Sequence, residues 1–232
     1  PSEPFALFDG DDGSGLLLSG YCRAVFLDPE AQGGDALGAA FSALEDAGRA
    51  GQWVALVCDY ELGASFEPSA PRYQTDRPLL RAWVFDRARW LDAEEVAALL
   101  SGYLSGLTES QRVAGVADVV PALAQREYEQ KVEQVRRWIA DGDCYQINLT
   151  FPLTFRYFGH PVALYAALRQ RQPVRYGACI AVPGATVLSF SPELFFQRTA
   201  GRVVARPMKG TAPRGASAEE DRRQRLTLLS SA

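Results

Sequence analysis

The sequence has few of the residues from which zinc and redox sites are built. It holds one histidine, His160, and four cysteines with no Cys-x-x-Cys pair among them. A structural zinc site needs four nitrogen or sulfur ligands, so this composition excludes one. We expect the cysteines to be reduced thiols of a cytoplasmic protein, buried as small apolar side chains. They are Cys22, Cys58, Cys144 and Cys179.

Long apolar runs and an excess of positive charge are also missing. No run approaches the roughly 20 residues that cross a bilayer, so we expect no membrane association. The net charge is −4 and the arginines are scattered, which argues against nucleic acid as a partner. The aspartate-rich residues 9–15 lack the spaced ligands and terminal glutamate of a helix-loop-helix calcium site, so no metal is expected there.

The apolar content is high enough for a sizeable core. With 232 residues, 47% of them hydrophobic, the chain can form one large domain or two small ones. A turn-rich stretch at residues 105–122 suggests a soft boundary, which gives an N-terminal region of residues 1–120 and a second region of residues 121–232. Strand patterns alternate with longer helical patterns, which indicates the α+β class.

In the first region the periodicity predicts a hairpin, two further strands and two helices. The hairpin strands are residues 5–8 and 16–18. A helix is expected to begin with Asp35 as its cap, and a second with Asp92. The further strands are residues 53–58, expected to be buried, and 79–85. Aromatic residues usually partition into the core, so Trp53, Trp83 and Trp90 are expected in it or at its edge.

In the second region an apolar stripe predicts a helix that ends at Gly142; its members are Tyr128, Val132, Val135 and Ile139. Alternation at residues 145–155 predicts a half-buried strand with Gln146 and Asn148 on one face. His160 and Pro161 begin a further helix, with the histidine as a surface or capping residue rather than a catalyst. Residues 177–206 then read as an antiparallel meander of four short strands.

A loop at residues 206–215 joins the last of these strands to a final helix, which Ser217 and Glu220 begin with a capping-box pattern. Gly210 allows the backbone a positive φ or a close approach to a ligand. Lys209 lies beside it. From the residues alone, Lys209 is either a solvated surface lysine or, if partly desolvated, a free amine able to act as nucleophile or base.

Three segments together resemble the signatures of the chorismate-utilising enzymes. They are RPMKGTAPRG at residues 206–215, SPELFF at residues 191–196 and DGDCYQINLT at residues 141–150. Their order and spacing make the signal strong. The resemblance is close from Glu127 onward and weak before it. It implies antiparallel sheets packed as a sandwich with flanking helices, of which this chain would be an incomplete N-terminal portion.

The resemblance also implies roles for five residues. Lys209 would attack C2 of chorismate as the C4 hydroxyl leaves, and Glu193, kept protonated by burial, would be the general acid. Gly210 and Thr211 would contact the ring carboxylate. Anthranilate-forming members carry Ala at the position of Lys209, and isochorismate- or salicylate-forming members carry Lys at the position of Gln146. The pair found here therefore indicates the aminodeoxychorismate synthases, transferases that make 4-amino-4-deoxychorismate for 4-aminobenzoate and folate.

From the residues alone, Glu193 could equally be a solvated turn residue and Gln146 a structural hydrogen-bonding residue. Three other readings of the whole chain stay open: an anthranilate synthase relative, an isochorismate or salicylate synthase relative, and a non-catalytic fragment that acts as a binding scaffold. Some relatives bind tryptophan at positions equivalent to residues 8–10 and 175–177. Asp9-Gly10 and Arg175 depart from that pattern, so tryptophan binding is left open.

Cofactor and partners follow from the resemblance as well. Magnesium is expected, with glutamate ligands beyond Ala232 and none within the chain. Ammonia would come from a glutamine amidotransferase subunit, and a fused or separate aminodeoxychorismate lyase is left open. The final helical pattern reaches Ala232 without a stop signal, so we expect the chain to continue and the isolated chain to be inactive.

Overall fold

The computed structural model describes residues 3–10, 12–31, 34–67, 69–71, 74–207 and 210–230. The strands are β1 (Phe5–Asp9), β2 (Gly15–Leu27), β3 (Trp53–Cys58), β4 (Leu80–Leu91), β5 (Gly115–Pro121), β6 (Leu153–Phe158), β7 (Tyr176–Val182), β8 (Ala185–Ser191), β9 (Leu194–Thr199) and β10 (Arg202–Arg206). The helices are α1 (Gly34–Arg49), α2 (Ala93–Ser105), α3 (Glu109–Arg112), α4 (Gln125–Asp141), α5 (Pro161–Arg171) and α6 (Ala218–Ser230), with short 3-10 helices at Pro29–Ala31 and Tyr60–Ser65. The α+β class, with antiparallel sheets and flanking helices, is confirmed.

Six strands form one antiparallel sheet in the order β3-β4-β2-β1-β7-β8. Strand β1 is central in it, because Phe8 pairs with Leu16 of β2 on one side and Leu7 pairs with Cys179 of β7 on the other. The sheet thus joins strands from both sides of the boundary expected near residue 120. That boundary stays a prediction, and the two regions share a sheet.

The core follows the alternation of side chains along β1. Leu7 belongs to a buried cluster with residues of α2 and α5, among them Val96 and Tyr165. Ala6 points to the other face and belongs to a second cluster with Trp83 and Phe85. Helix α1 covers a third cluster, against which the expected apolar residues pack: Leu37, Phe41 and Leu44.

Two expectations about the tryptophans are wrong for a common reason. Trp83 is only 1% exposed, whereas Trp53 and Trp90 are 45% and 71% exposed. Strand β3 is the edge of the sheet, so Trp53 has a neighbouring strand on one side only. The pairing of β3 with β4 extends only to Phe85, so β4 is itself an edge where it carries Trp90.

Helix ends agree with the sequence in detail at α2 and less well at α1. Asp92 and Glu95 form the reciprocal capping box of α2. Asp35 was expected to cap α1, but it lies in the first turn because the helix already begins at Gly34. At α4, Gly142 ends the helix with φ 82°, as expected. His160 caps α5, with its Nδ1 accepting from Val162 N at 3.2 Å.

Two strand predictions in the second region need correction. Residues 145–152 form no strand, and the strand begins only at Leu153, where β6 pairs with β5. The apolar alternation of residues 145–152 lacks a partner strand among the described residues, so it has no ladder to join. The expected four-stranded meander is two separate hairpins, since β7–β8 belongs to the large sheet and β9–β10 forms its own.

The cysteines are free thiols, as expected, but only one of them is buried. Cys179 is fully buried in the sheet, and burial raises the pKa of its thiol to about 12. Cys22 and Cys58 are exposed and Cys144 is half-buried. The expectation of burial was therefore wrong for Cys22 and Cys58, which lie on β2 and β3 on the side of the sheet distant from Cys179 in strand order.

Candidate functional site

The β9–β10 hairpin brings two of the sequence signatures side by side. Arg206 pairs with Leu194 at the open end of the hairpin. In an antiparallel pair the residues just outside that pairing are neighbours too. Glu193 precedes Leu194 and Pro207 follows Arg206, so the register places Glu193 beside the start of the loop that contains Lys209.

An open groove of about 420 Å³ confirms this neighbourhood. Its lining includes Ser191, Glu193, Leu194, Phe195, Ala205 and Pro207. The turn that carries Glu193 is held locally, because Glu193 N donates to Ser191 Oγ at 3.3 Å and Ser191 Oγ lies 3.1 Å from Glu193 O. A carboxyl group and an aromatic ring thus share one groove, which suits a small ring substrate with a leaving group to be protonated.

The expected burial of Glu193 is wrong for the described chain. Its side chain is exposed. The described lining of the groove comes only from the two strands β9 and β10 and the residues that flank them, so one side of the groove faces solvent. Phe195, in the same groove, is 87% exposed for the same reason.

Lys209 and Met208 lie outside the described residues, so the structure describes the loop on either side of them. Gly210 has φ +68°, the left-handed conformation expected of it. A Cβ at this position would lie 3.2 Å from Leu228 Cδ1 of α6, which packs close to the loop. Thr211 is exposed. The structure thus places Gly210 against α6 and leaves Thr211 accessible.

The far end of the loop is joined to the start of α6. Ser217 Oγ accepts from Glu220 N at 3.2 Å, as the capping pattern predicts. The carboxylate of Glu220 accepts instead from Ala216 N at 2.8 Å, one residue earlier than a reciprocal box requires. Asp221 Oδ1 accepts from Gly215 N at 3.1 Å. The helix start therefore binds three successive residues of the chain that precedes it.

Gln146 lies in the irregular segment between α4 and β6. Its Nε2 donates to Asn148 Oδ1 at 3.3 Å, so the two side chains that were expected on one face are together. Gln146 is exposed and is not among the described residues that line the groove of Glu193. The described structure therefore brings Glu193 to the loop of Lys209 but does not place Gln146 in the same groove.

A buried ionic network at the N-terminal strand was missed by the sequence reading. Asp9, whose side chain is 4% exposed, accepts from Arg169 Nε at 2.8 Å and from the Tyr165 hydroxyl at 2.6 Å. Burial, followed by the hydrogen bond to Asp9, raises the pKa of Tyr165. The four-residue spacing of Tyr165 and Arg169 on α5 was the only available signal, since it puts both on one helix face.

The same network borders a small cavity of about 170 Å³, lined by Asp9, Gly10, Gly13, Arg169, Pro173, Val174 and Arg175. The two segments singled out for tryptophan binding thus meet at one cavity. The carboxylate of Asp9 is already engaged by Arg169 and Tyr165, and Arg169 also donates to Gly13 O at 2.8 Å.

Neither a metal centre nor a membrane segment is found in the part of the chain that the structure describes. Its His, Cys, Asp and Glu residues form no group of three or more that could hold a metal ion. None of its helices combines the length and the apolar character needed to cross a bilayer.

Comparison with known proteins gives a consistent result. Residues 20–232 match the protein family described as chorismate binding enzyme. The aminodeoxychorismate synthase component 1 of Klebsiella aerogenes is 31% identical over 185 residues, 74% of this chain and 41% of the relative. The aminodeoxychorismate synthase of Streptomyces pristinaespiralis is 35% identical over 169 residues, 72% of this chain and 23% of the relative.

An anthranilate synthase component 1 from Thermus thermophilus is also similar. It is 35% identical over 130 residues, 56% of this chain and 28% of the relative. The chain spans less than half the length of each of these three relatives. Both kinds of synthase are therefore represented among its relatives.

Proposed function

The chain belongs to the family of chorismate binding enzymes, and we propose that it is part of an aminodeoxychorismate synthase, which converts chorismate and ammonia into 4-amino-4-deoxychorismate. The proposal rests above all on Lys209 in the signature loop, next to a groove that contains Glu193. The register of β9 and β10 supports it, because that register brings Glu193 beside Pro207, two residues before the lysine in sequence.

In the proposed reaction, the free amine of Lys209 forms a bond to C2 of the ring. The ring double bonds shift, the C4–oxygen bond breaks, and Glu193 gives its proton to the departing hydroxyl, which leaves as water. Ammonia then bonds to C4, the double bonds shift back, and the bond between C2 and the lysine nitrogen breaks. Lys209 is regenerated, and Gly210 and Thr211 would hold the ring carboxylate.

Glu193 must be protonated for this step, and an exposed carboxyl at neutral pH is ionised. We therefore propose that further residues of the full-length protein cover the groove and remove water from it, as burial favours the protonated form. On this proposal the described chain alone is inactive. The length of the relatives, of which it spans 41% in the Klebsiella case, is consistent with that.

Magnesium and the source of ammonia are parts of the same proposal. The described residues offer no fitting set of metal ligands, so no step above is routed through a metal, and its glutamate ligands are expected outside this chain. Ammonia would be supplied by a glutamine amidotransferase subunit. The product would serve 4-aminobenzoate and folate synthesis.

Anthranilate formation is the second candidate, because an anthranilate synthase component 1 is among the relatives. The residue that separates the two is Lys209, for which the resemblance expects Ala in anthranilate-forming enzymes. Gln146 argues against the isochorismate and salicylate reactions, since a neutral amide cannot take the proton of an attacking water.

The test is product analysis with the full-length protein that carries these residues. Chorismate, magnesium and ammonium are supplied, and products are separated by liquid chromatography and identified by mass. The wild type is expected to form 4-amino-4-deoxychorismate, and Lys209→Ala to form anthranilate or to lose activity. Lys131, the only other lysine, gives the matched control: it lies on α4 in an exposed ion pair with Glu127, and Lys131→Ala should keep wild-type activity.

Two results would decide against the proposal. Anthranilate as the product of the wild type would favour the second candidate. Unchanged 4-amino product from Lys209→Ala would exclude the covalent role of the lysine.

A further inference from the structure

Asp221, in the first turn of α6, binds the C-terminal end of the signature loop with one oxygen. Its Oδ1 accepts from Gly215 N at 3.1 Å and lies 3.1 Å from Arg214 Nε. The side chain of Asp221 is 30% exposed while that of Arg214 is 90% exposed. The carboxylate is thus partly enclosed between the helix and the loop, with the arginine on its solvent side.

The contact between Gly215 and α6 leaves no room for a side chain. A Cβ at position 215 would overlap Asp221 N and would lie 2.6 Å from the carbonyl carbon of Glu220. Backbone therefore packs on backbone, and the loop lies as close to the helix as a peptide can. A hydrogen bond from an N–H to a charged acceptor is about twice as strong as a neutral one, so Asp221 is the main polar contact of this junction.

A second contact links α6 to the other part of the loop. Leu228, more than one turn further along α6, lies where a Cβ of Gly210 would be 3.2 Å away. The helix therefore touches the loop at both Gly210 and Gly215, the residues that enclose Thr211. At the opposite end, Pro207 is fixed beside Glu193 by the hairpin. The loop thus has one described attachment to the hairpin and two to the helix.

We propose that Asp221 is a positioning residue for the signature loop: by binding Gly215 and Arg214 it fixes Gly210 and Thr211 on α6, and with them the distance from Lys209 to Glu193. Its consequence for catalysis rests on the proposed function, whereas the attachment of the loop does not. A displacement of about 1 Å at a reacting group can lower a rate roughly 100-fold, so a freed loop would be costly to turnover without any loss of a group that touches substrate.

The experiment compares Asp221→Ala, Asp221→Asn and Glu219→Ala with the wild type, each as full-length protein. Glu219 is the matched control, because it is another carboxylate in the first turn of α6 with no hydrogen bond or ion pair found among the described residues. Hydrogen exchange of the backbone amides at residues 210–216 measures the attachment. The rate of chorismate consumption, whatever the product, measures its consequence.

For Asp221→Ala we expect exchange at Gly215 to rise about tenfold or more, as the loss of a hydrogen bond to a charged group implies. We expect kcat to fall about 10- to 100-fold. Asparagine keeps an oxygen that can accept from Gly215 N, so Asp221→Asn should recover part of both. Glu219→Ala should match the wild type in both.

Wild-type exchange at residues 210–216 in Asp221→Ala would overturn the proposal, and so would raised exchange with kcat within about twofold of the wild type. If Asp221→Ala does not fold, Asp221→Asn decides in its place, since exchange equal to the wild type would overturn the proposal and a several-fold rise would support it. A wild type that makes anthranilate would contradict the proposed function alone, because the exchange and consumption measurements still test Asp221.

Discussion

Replacing Tyr165 by Phe tests the buried network that joins the N-terminal strand to α5. The change removes one hydroxyl from a fully buried side chain and leaves the ring in place. It deletes the 2.6 Å hydrogen bond to Asp9 while Arg169 still donates to the same carboxylate. Hydrogen bonds to charged groups contribute about 1.5–3 kcal/mol. We therefore expect the free energy of unfolding to fall by about 2 kcal/mol.

Urea unfolding followed by circular dichroism measures this, with an unchanged m-value expected because the same surface is exposed. Tyr103→Phe is the matched control. Its ring packs against Phe5 and His160, and no hydrogen bond of its hydroxyl is found among the described residues. It should stay within about 0.5 kcal/mol of the wild type.

The pH dependence gives the same prediction a second test. Burial, then the hydrogen bond to Asp9, raises the pKa of Tyr165 in the folded state. Its stabilising contribution is therefore complete below the unfolded pKa of about 10 and is lost as the pH rises above it. The advantage of the wild type over Tyr165→Phe should shrink by about 1.4 kcal/mol per pH unit above pH 10. Equal stabilities at pH 7, or a constant difference up to pH 11, would refute the role given to this hydroxyl.

Two further predictions concern side-chain space and thiol reactivity. A Cβ at Gly177 would overlap Asp9 Oδ2, so Gly177→Ala should lower the free energy of unfolding by about 1–3 kcal/mol. Gly38→Ala in α1, where nothing lies within 4 Å, should raise it by up to about 1 kcal/mol, and equal effects of the two changes in urea unfolding would contradict this account. The hydrogen bond from Cys22 to Asp86 at 2.9 Å raises the pKa of the Cys22 thiol. Asp86→Asn should thus speed iodoacetamide modification of Cys22 and leave Cys58 unchanged, as followed by peptide mass; an unchanged Cys22 rate would count against it.

Features fixed by neighbouring residues were predicted well from the sequence. The capping box of Asp92, the end of α4 at Gly142 and the positive φ of Gly210 each depend on a few adjacent residues, and each is found. The β9–β10 hairpin is equally local, so the proximity of Glu193 to Pro207 followed from the order of the motifs.

Features that depend on distant partners were not predictable in the same way. Asp9 and Arg169 are 160 positions apart, and nothing in either segment indicates the other. Residues 145–152 alternate as a strand would, but a strand needs a neighbour, and none of the described residues pairs with them. The exposure of Trp90 depends on how far β3 extends along β4. The exposure of Glu193 likewise depends on what covers the groove, which the motif around it does not specify.

The most direct test of the central claim is the mass of the Lys209 peptide during turnover. The full-length protein is mixed with chorismate, quenched with acid and digested, and the two lysine-containing regions are compared, since Lys131 serves as an internal control. The account predicts that the Lys209 peptide carries the mass of chorismate less one water and that the Lys131 peptide is unmodified. Steady formation of 4-amino-4-deoxychorismate with Lys209 unmodified at every quench time would contradict it.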